Sequence, residues 1–319
     1  MWHLIRMIQT NIFTARIAAW LLCALLPLLP QNSPGQENLG QKMFHTRQSQ
    51  RLLPDFSDSY GVVFRDINLD GLPDLYVVRF RNLNRLFLNR GVWQPFEDYT
   101  IESGLGGNLM PRGQQNLELG ASSVDFDNDG LPDMIIAGWG VSTRIFRQEK
   151  NHHFSEWNKI GRSPPAIDGN GAFWADVNRD GYPDVFVTDE HHPNHLFLGS
   201  GLGNFTDKSR QWGIADSSVS QGAAFADVDD DGFPDLYVCN WFKPDVFYRN
   251  TGSGFFQPQE LDLFHLTHSL NSNGVTFGDI DNDGDLDLLV TDRDRFNRLY
   301  RNDTPAGSAE WKFADITES

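Results

Sequence analysis

The stretch Gly171-Ala-Phe-Trp-Ala-Asp176-Val-Asn-Arg-Asp-Gly-Tyr-Pro-Asp184-Val-Phe-Val-Thr188 decides the fold, because its pattern occurs five times. The other copies open with Gly61-Val-Val-Phe-Arg-Asp66, Gly120-Ala-Ser-Ser-Val-Asp125, Gly222-Ala-Ala-Phe-Ala-Asp227 and Gly274-Val-Thr-Phe-Gly-Asp279. Successive opening aspartates lie 59, 51, 51 and 52 residues apart. An aromatic follows each of them by 21 residues: Phe87, Phe146, Phe197, Tyr248 and Tyr300. Self-similarity at a fixed period is the mark of a repeat architecture.

Each repeat reads as four strands. Small apolar residues precede the motif, as in a buried strand. A short β-branched or aromatic run follows it: Leu75-Tyr-Val-Val, Met134-Ile-Ile-Ala, Val185-Phe-Val-Thr, Leu236-Tyr-Val-Cys and Leu288-Leu-Val-Thr. A third run surrounds the spaced aromatic, and a fourth begins at Phe96, Phe154, Phe205, Phe256 or Phe313. Helical periodicity is almost absent. Four-stranded units in radial repetition predict an all-β fold, a β-propeller. Three organisations follow: a fragment of a larger ring, a five-bladed ring completed by residues near Met43 to Phe56, or an open arc. The fragment is the favoured one, because the last repeat stops short of its counterparts.

The motif itself predicts a cation site. Its positions 1, 3, 5 and 9 hold Asp66, Asn68, Asp70 and Asp74; Asp125, Asp127, Asp129 and Asp133; Asp176, Asn178, Asp180 and Asp184; Asp227, Asp229, Asp231 and Asp235; and Asp279, Asp281, Asp283 and Asp287. Oxygen-bearing side chains at positions 1, 3 and 5 converge if the backbone curls around one point, and glycine at position 6 permits the turn. Position 7 is expected to ligate through its carbonyl, which leaves its side chain free to vary: Leu72, Leu131, Tyr182, Phe233 and Asp285. Position 9 adds a carboxylate. A set of hard oxygens suits Ca²⁺, one ion per repeat and about five in all, better than Mg²⁺, which retains water. The lack of Cys and His at these positions disfavours Zn²⁺.

An EF-hand begins in the same way but needs Glu at position 12 and flanking helices. Position 12 is Val77, Ile136, Val187, Val238 and Val290, all in strand-like runs, which excludes it. Plain Asp-Gly-Pro turns remain the simpler alternative. They need no carboxylate at four fixed positions, and carboxylates so close repel unless a cation lies between them.

On these residues the chain resembles the FG-GAP/VCBS repeat family, over roughly residues 59–319. Integrin α-subunit propellers, cartilage-acidic-protein-like chains and secreted bacterial proteins share that repeat. The resemblance implies one Ca²⁺ per loop, an extracellular location, and a role in adhesion or ligand binding. Two departures stand out. Of the Phe-Gly…Gly-Ala-Pro signature only Gly61, Gly120, Gly171, Gly222 and Gly274 remain, and family propellers usually have seven blades.

The charge agrees with a cation-binding chain. The 319 residues carry a formal charge of −17. That excludes nucleic acid as the main partner, because phosphate binding needs a basic face. Of 43 acids, 18 are aspartates at positions 1, 3, 5 and 9, and five divalent ions would reduce the charge to −7. Arg6 and Arg16 precede or open an apolar run over residues 17–29. It has the length of a signal-peptide core and is too short to span a bilayer. Residues 1–30 therefore read as a signal peptide, with an N-terminal anchor as the lesser reading, 31–58 as a polar linker with a possible blade-closing strand, and 59–319 as the propeller. Cys239 reads as a small hydrophobe in a strand.

Some groups fall outside the loops. His191, His192 and His195 form the densest cluster, between the second and third strands of their repeat. His152-His153 and the pair His265 and His268 read as chance. Exposed tryptophan among Trp139, Trp174, Trp212 and Trp241 would suit stacking on sugars, although core packing is the simpler role. Asn204-Phe-Thr206 and Asn302-Asp-Thr304 are glycosylation sequons. The expected function is an exported calcium-binding module for recognition or adhesion, with a protein or carbohydrate ligand on inter-blade loops. No catalytic constellation is visible. The alternatives are a polysaccharide lyase or hydrolase on the same scaffold, and a structural segment of a larger surface protein.

Overall fold

The computed structural model describes residues 58–92, 94–107, 117–139, 141–157, 169–259 and 271–317. The apolar run 17–29, the polar stretch 31–57, and His265 and His268 lie outside the described residues. The fold is a β-propeller built of four-stranded antiparallel blades.

Blade 1 comprises β1 (Ser59–Arg65), β2 (Asp74–Arg79), β3 (Arg85–Leu88) and β4 (Glu97–Asp98), followed by the single turn α1 (Thr100–Ser103). Blade 2 comprises β5 (Glu118–Val124), β6 (Asp133–Gly138), β7 (Val141–Gln148) and β8 (Phe154–Glu156). Blade 3 holds β9 (Gly169–Ala175), β10 (Asp184–Asp189), β11 (His195–Gly199) and β12 (Phe205–Asp207). Blade 4 holds β13 (Val219–Ala226), β14 (Asp235–Trp241), β15 (Val246–Asn250) and β16 (Phe256–Gln259). Blade 5 holds β17 (Ser272–Gly278), β18 (Asp287–Asp292), β19 (Arg298–Asn302) and β20 (Phe313–Asp315). In each blade the strands pair in sequence order, so every connection is a hairpin. The four expected strands per repeat are all present.

One compact unit holds the described residues up to Leu117 together with Lys150–Phe154. In it, Leu75, Val77 and Phe87 form the core of blade 1, with Val62, Phe64 and Phe96 against it. The α1 turn ends at Gly104 in the left-handed conformation, and Tyr76 donates its hydroxyl to the Leu105 carbonyl at 2.9 Å.

The second unit holds Glu118–Glu149 and Ser155 onward. Its blades pack face to face, with an apolar layer between each consecutive pair. Ile135, Ile145, Val185 and Phe197 lie between blades 2 and 3. Phe186, Leu196, Leu236 and Val238 lie between blades 3 and 4. Tyr237, Phe247, Leu288, Trp311 and Phe313 fill the layer between blades 4 and 5. The second strands of blades 2, 3 and 4 have both faces covered, which is why they read as continuous apolar runs instead of alternations, whereas in blade 5 Leu289 and Thr291 are only half-buried. The inner strands run very close together. A Cβ at Gly120 would stand 2.4 Å from the Asn170 carbonyl oxygen, and one at Gly222 would stand 2.7 Å from that of Asn273. These glycines are needed for that approach.

Two asparagines tie blades together. Asn250 donates its side-chain amide to the Val177 carbonyl at 2.8 Å, and Asn302 donates to Val228 at 2.9 Å. Asn302 is fully buried, so the Asn302-Asp-Thr304 sequon is spent on packing and is closed to a glycan. Asn204 of the other sequon is exposed.

Candidate metal centre

The five loops between first and second strands share one backbone course. Position 4 is left-handed in every copy, at φ of 58° for Leu69, 59° for Asn128 and Arg179, 55° for Asp230 and 63° for Asn282. The glycines at position 6 have φ between 86° and 101°. A side chain at position 4 costs of order 1 kcal/mol in that region, so the surroundings must over-determine it. Nothing lies within 4 Å of where a Cβ on Gly71, Gly130, Gly181 or Gly284 would stand, so it is φ and not space that requires glycine there.

The carboxylates supply the determination. Asp66, Asp125, Asp176 and Asp227 each accept the position-5 amide on Oδ1 at 3.0–3.1 Å and the glycine amide on Oδ2 at 2.8 Å. The position-5 aspartates Asp70, Asp129, Asp180, Asp231 and Asp283 accept the position-7 amide at 2.9–3.0 Å. Position-7 side chains also have a job that sequence reading left open. Tyr182 packs over Gly201 and Phe233 over Gly252, closing the loop onto the turn between third and fourth strands.

Position 9 makes hydrogen bonds of its own within the fold. Asp74, Asp133, Asp184, Asp235 and Asp287 are all buried. One oxygen accepts the position-2 amide, from Ile67, Phe126, Val177, Val228 or Ile280, at 2.8–3.2 Å. The other accepts an amide of the third strand or its end, from Asn89, Gln148, Gly199, Asn250 or Asn302, at 2.8 Å. The residue is thus a buried clip between loop and third strand, and each of its oxygens keeps a second lone pair.

The structure gathers positions 1, 3 and 9 in three loops. Carboxylate oxygens lie within 4.8 Å of one another in Asp125, Asp127 and Asp133; in Asp227, Asp229 and Asp235; and in Asp279, Asp281 and Asp287. Position 5 is not part of these triads. In blades 1 and 3, Asn68 and Asn178 replace the middle carboxylate, and each donates its amide to position 5, Asp70 or Asp180, at 3.0 and 2.8 Å.

The donor set fits a hard divalent cation. Asp127 Oδ1 is buried with no hydrogen-bond partner, which is costly for a carboxylate unless a cation takes it up. Burial, reinforced by neighbouring carboxylates, pushes Asp133 and Asp184 up to about 7 and Asp235 to about 8. A group in that state is either protonated or paired with positive charge. Asp70, Asp129, Asp180, Asp279 and Asp283 are exposed, and Asp66, Asp125, Asp176 and Asp231 are half-buried.

Other predicted groups are dispersed. His191 and His192 are exposed, and the Asp189 carboxylate accepts both of their backbone amides at 2.7 Å. His195 stacks on Phe197 at 5.6 Å. His153 sits beside Gly104, with its ring nitrogen 3.0 Å from the Glu102 carbonyl oxygen. Trp212 belongs to the core, whereas Trp139 is 41% exposed with its ring 6.4 Å from that of His191.

The family model of the FG-GAP-like repeat matches residues 125–187, 176–238 and 227–290, each match running from one loop through the remaining strands of its blade and the first strand of the next to the following loop and the start of the strand after it. The chain belongs to the FG-GAP-like repeat family. It is 27% identical to cartilage acidic protein 1 of Mus musculus over 269 residues, 76% of this chain and 41% of the relative. For the Homo sapiens protein of that name the identity is 28% over 271 residues, 76% and 40% of the two chains. The chain thus spans about two fifths of the length of these curated relatives. The structure of an Agrocybe aegerita lectin, described as specific for non-reducing terminal N-acetylglucosamine, superposes with a TM-score of 0.54 at 17% identity, covering 83% of this chain and 67% of that one. That likeness concerns the fold.

Proposed function

We propose that the protein is an exported calcium-binding recognition or adhesion module whose blades are stapled by Ca²⁺. The observation that carries this reading is the recurrence of one oxygen-only loop geometry in all five blades, with carboxylates converging in three of them. When bound, the ion would neutralise carboxylates that otherwise face one another. The chain's own residues do the rest: positions 1, 3, 5 and 9 with the position-7 carbonyl would hold the ion, and the position-1 and position-9 carboxylates hold the loop backbone in shape.

Extracellular modules bind Ca²⁺ at roughly 10⁻⁴–10⁻³ M, so export to a calcium-rich medium goes with this reading. The N-terminal apolar run supports the same destination, and among the described residues no helix is long and apolar enough to cross a membrane. The partner is a protein or a carbohydrate at inter-blade loops. The lectin neighbour makes a panel of glycans, N-acetylglucosamine included, the first one to test.

The test is thermal unfolding in chelator and in Ca²⁺. A site filled at a hundredfold its Kd adds about 2.7 kcal/mol. Several sites should therefore raise Tm by ten degrees or more, roughly, with Mg²⁺ restoring little. A melting curve indifferent to EDTA, or purified protein free of calcium by metal analysis, sinks the reading.

A further inference from the structure

The loops differ in what meets the outer oxygen Oδ2 of the position-5 aspartate. In blades 1 and 3 an asparagine at position 3 donates to it, Asn68 to Asp70 and Asn178 to Asp180. In blades 2 and 4 position 3 is an aspartate, and an arginine 22 residues after the opening Asp takes over. Arg147 bridges Asp127 and Asp129 at 2.5 and 2.6 Å, and Arg249 bridges Asp229 and Asp231 at 3.0 and 3.3 Å. Blades 1 and 3 have Leu88 and Leu198 at that register and no arginine. The two residues therefore vary together: Asn with Leu, or Asp with Arg. Counting positions 1, 3, 5 and 9 with the arginine, each of these four loops carries the same formal charge of −3.

Blade 5 breaks the rule. Position 3 is Asp281, and Arg301 stands at the arginine register, yet its guanidinium is held by Asp303 through two hydrogen bonds of 2.8 and 3.1 Å. Position 7 is a further acid, Asp285, which faces Asp230 of blade 4 as well as Asp283. The loop has also shifted. Asp279 accepts the amide of Asn282 at 2.6 Å where the other four position-1 aspartates take the position-5 amide, and its bond from Gly284 lengthens to 3.2 Å.

We propose that position 5 of each loop needs an electropositive partner, supplied within the fold by the asparagine amide in blades 1 and 3 and by arginine in blades 2 and 4, and from outside by a divalent cation in blade 5. Loop 5 is then the site whose shape depends most on the ion. Arg147 and Arg249 are positioning residues that offset the extra aspartate at position 3. The inference rests on the calcium reading only for the identity of the external cation.

The experiment compares Tm in EDTA and in millimolar Ca²⁺ for the full chain and three variants. Arg147→Leu should lower Tm in EDTA by about 2–4 °C, which is roughly what an ion pair worth 1 kcal/mol implies for a domain of this size. Its Tm in Ca²⁺ should change less. Arg147→Leu combined with Asp127→Asn, which converts loop 2 to the kind found in blades 1 and 3, should restore the metal-free Tm. Asp281→Asn should raise Tm in EDTA by a similar amount and shrink the rise that Ca²⁺ produces. Equal shifts with and without Ca²⁺, or a double variant no better than Arg147→Leu, would overturn the proposal. A parent chain indifferent to Ca²⁺ would sink the calcium reading, while the metal-free order of the variants still decides the pairing.

Discussion

The two ends of each blade obey different constraints. At the end where first and second strands join, five loops repeat one backbone course, and four of them repeat one set of position-1 carboxylate hydrogen bonds. At the opposite end, where the second strand turns toward the third, one register position holds five environments. Fourteen residues after the opening Asp stand Phe80, Trp139, Glu190, Trp241 and Arg293. Phe80 lies against Tyr60, Trp139 beside His191, and Glu190 accepts the amides of Asn170 and Gln221. Trp241 donates to Asn273 with Arg293 over its ring. A loop whose left-handed backbone must be over-determined tolerates little change, whereas a hairpin tip anchored by the strands beneath it is free to vary. Stability should therefore concentrate at the first end and recognition at the second.

The hardest blow to that contrast is Asp235→Ala. It removes the acceptor of the Val228 and Asn250 amides, both in the buried interior of blade 4. Two buried donors left unmet cost about 3–5 kcal/mol together, read as a fall in the urea midpoint. Asp235→Asn, which keeps one acceptor, should lose about half of that. If Asp235→Ala unfolds at the parent midpoint in EDTA, position 9 is a ligand and not a clip.

That clip marks the limit of what the sequence discloses. The repeat, its period and its four strands are readable, because strand runs bounded by turn residues recur with one spacing. Positions 1, 3, 5 and 6 are readable as well, since few backbone courses need Asp, Asp and Gly so placed. Position 9 looks like a fourth equivalent ligand, because its hydrogen-bond partners at Asn89, Gln148, Gly199, Asn250 and Asn302 donate backbone amides and so leave no trace in residue type. The Arg147 and Arg249 pairs were legible in principle: Asp at position 3 and Arg at the later register occur in the same repeats. The signal is easy to miss because the two positions are 20 residues apart and lie on different strands or loops.

At the variable end, Asp245 tests whether divergence carries a cost. Its equivalents in blades 1, 3 and 5 are Asn84, Asn194 and Asn297, whose carbonyls accept the amides of Arg79, Asp189 and Asp292. Asp245 does the same for Asn240 and also accepts from Tyr237 and Ser272. Burial pushes it from 3.8 up to about 6, with the charge of Asp292 adding to the rise. An acid raised on folding favours the native state when protonated. Its stabilising term is complete below the unfolded value of 3.8 and is lost as pH climbs through about 6. Asp245→Asn should thus gain about 1–3 kcal/mol over the parent at pH near 8 and little at pH near 4. Blade 1 already contains the resulting arrangement, in which Asn84 donates to the Tyr76 hydroxyl at 2.8 Å. Urea melts at the two pH values check it, and a difference independent of pH would mean that Asp245 is not the group responsible.

The smallest stability effect belongs to Trp139→Ala. The indole is 41% exposed at the end of β6, and its one aromatic neighbour among the described residues, His191, is itself exposed. Truncating such a side chain shifts stability by about 0.5 kcal/mol, against the several expected at Asp235. Its consequence for binding should run the other way. A half-exposed indole beside an imidazole offers a flat apolar face with polar edges, the surface on which a sugar ring stacks. On a glycan array the parent chain in Ca²⁺ should bind at least one ligand that Trp139→Ala loses, while Asp235→Asn, folded in Ca²⁺, retains it. If Trp139→Ala binds as the parent does, or if it unfolds as readily as Asp235→Ala, the division of labour between the two ends fails.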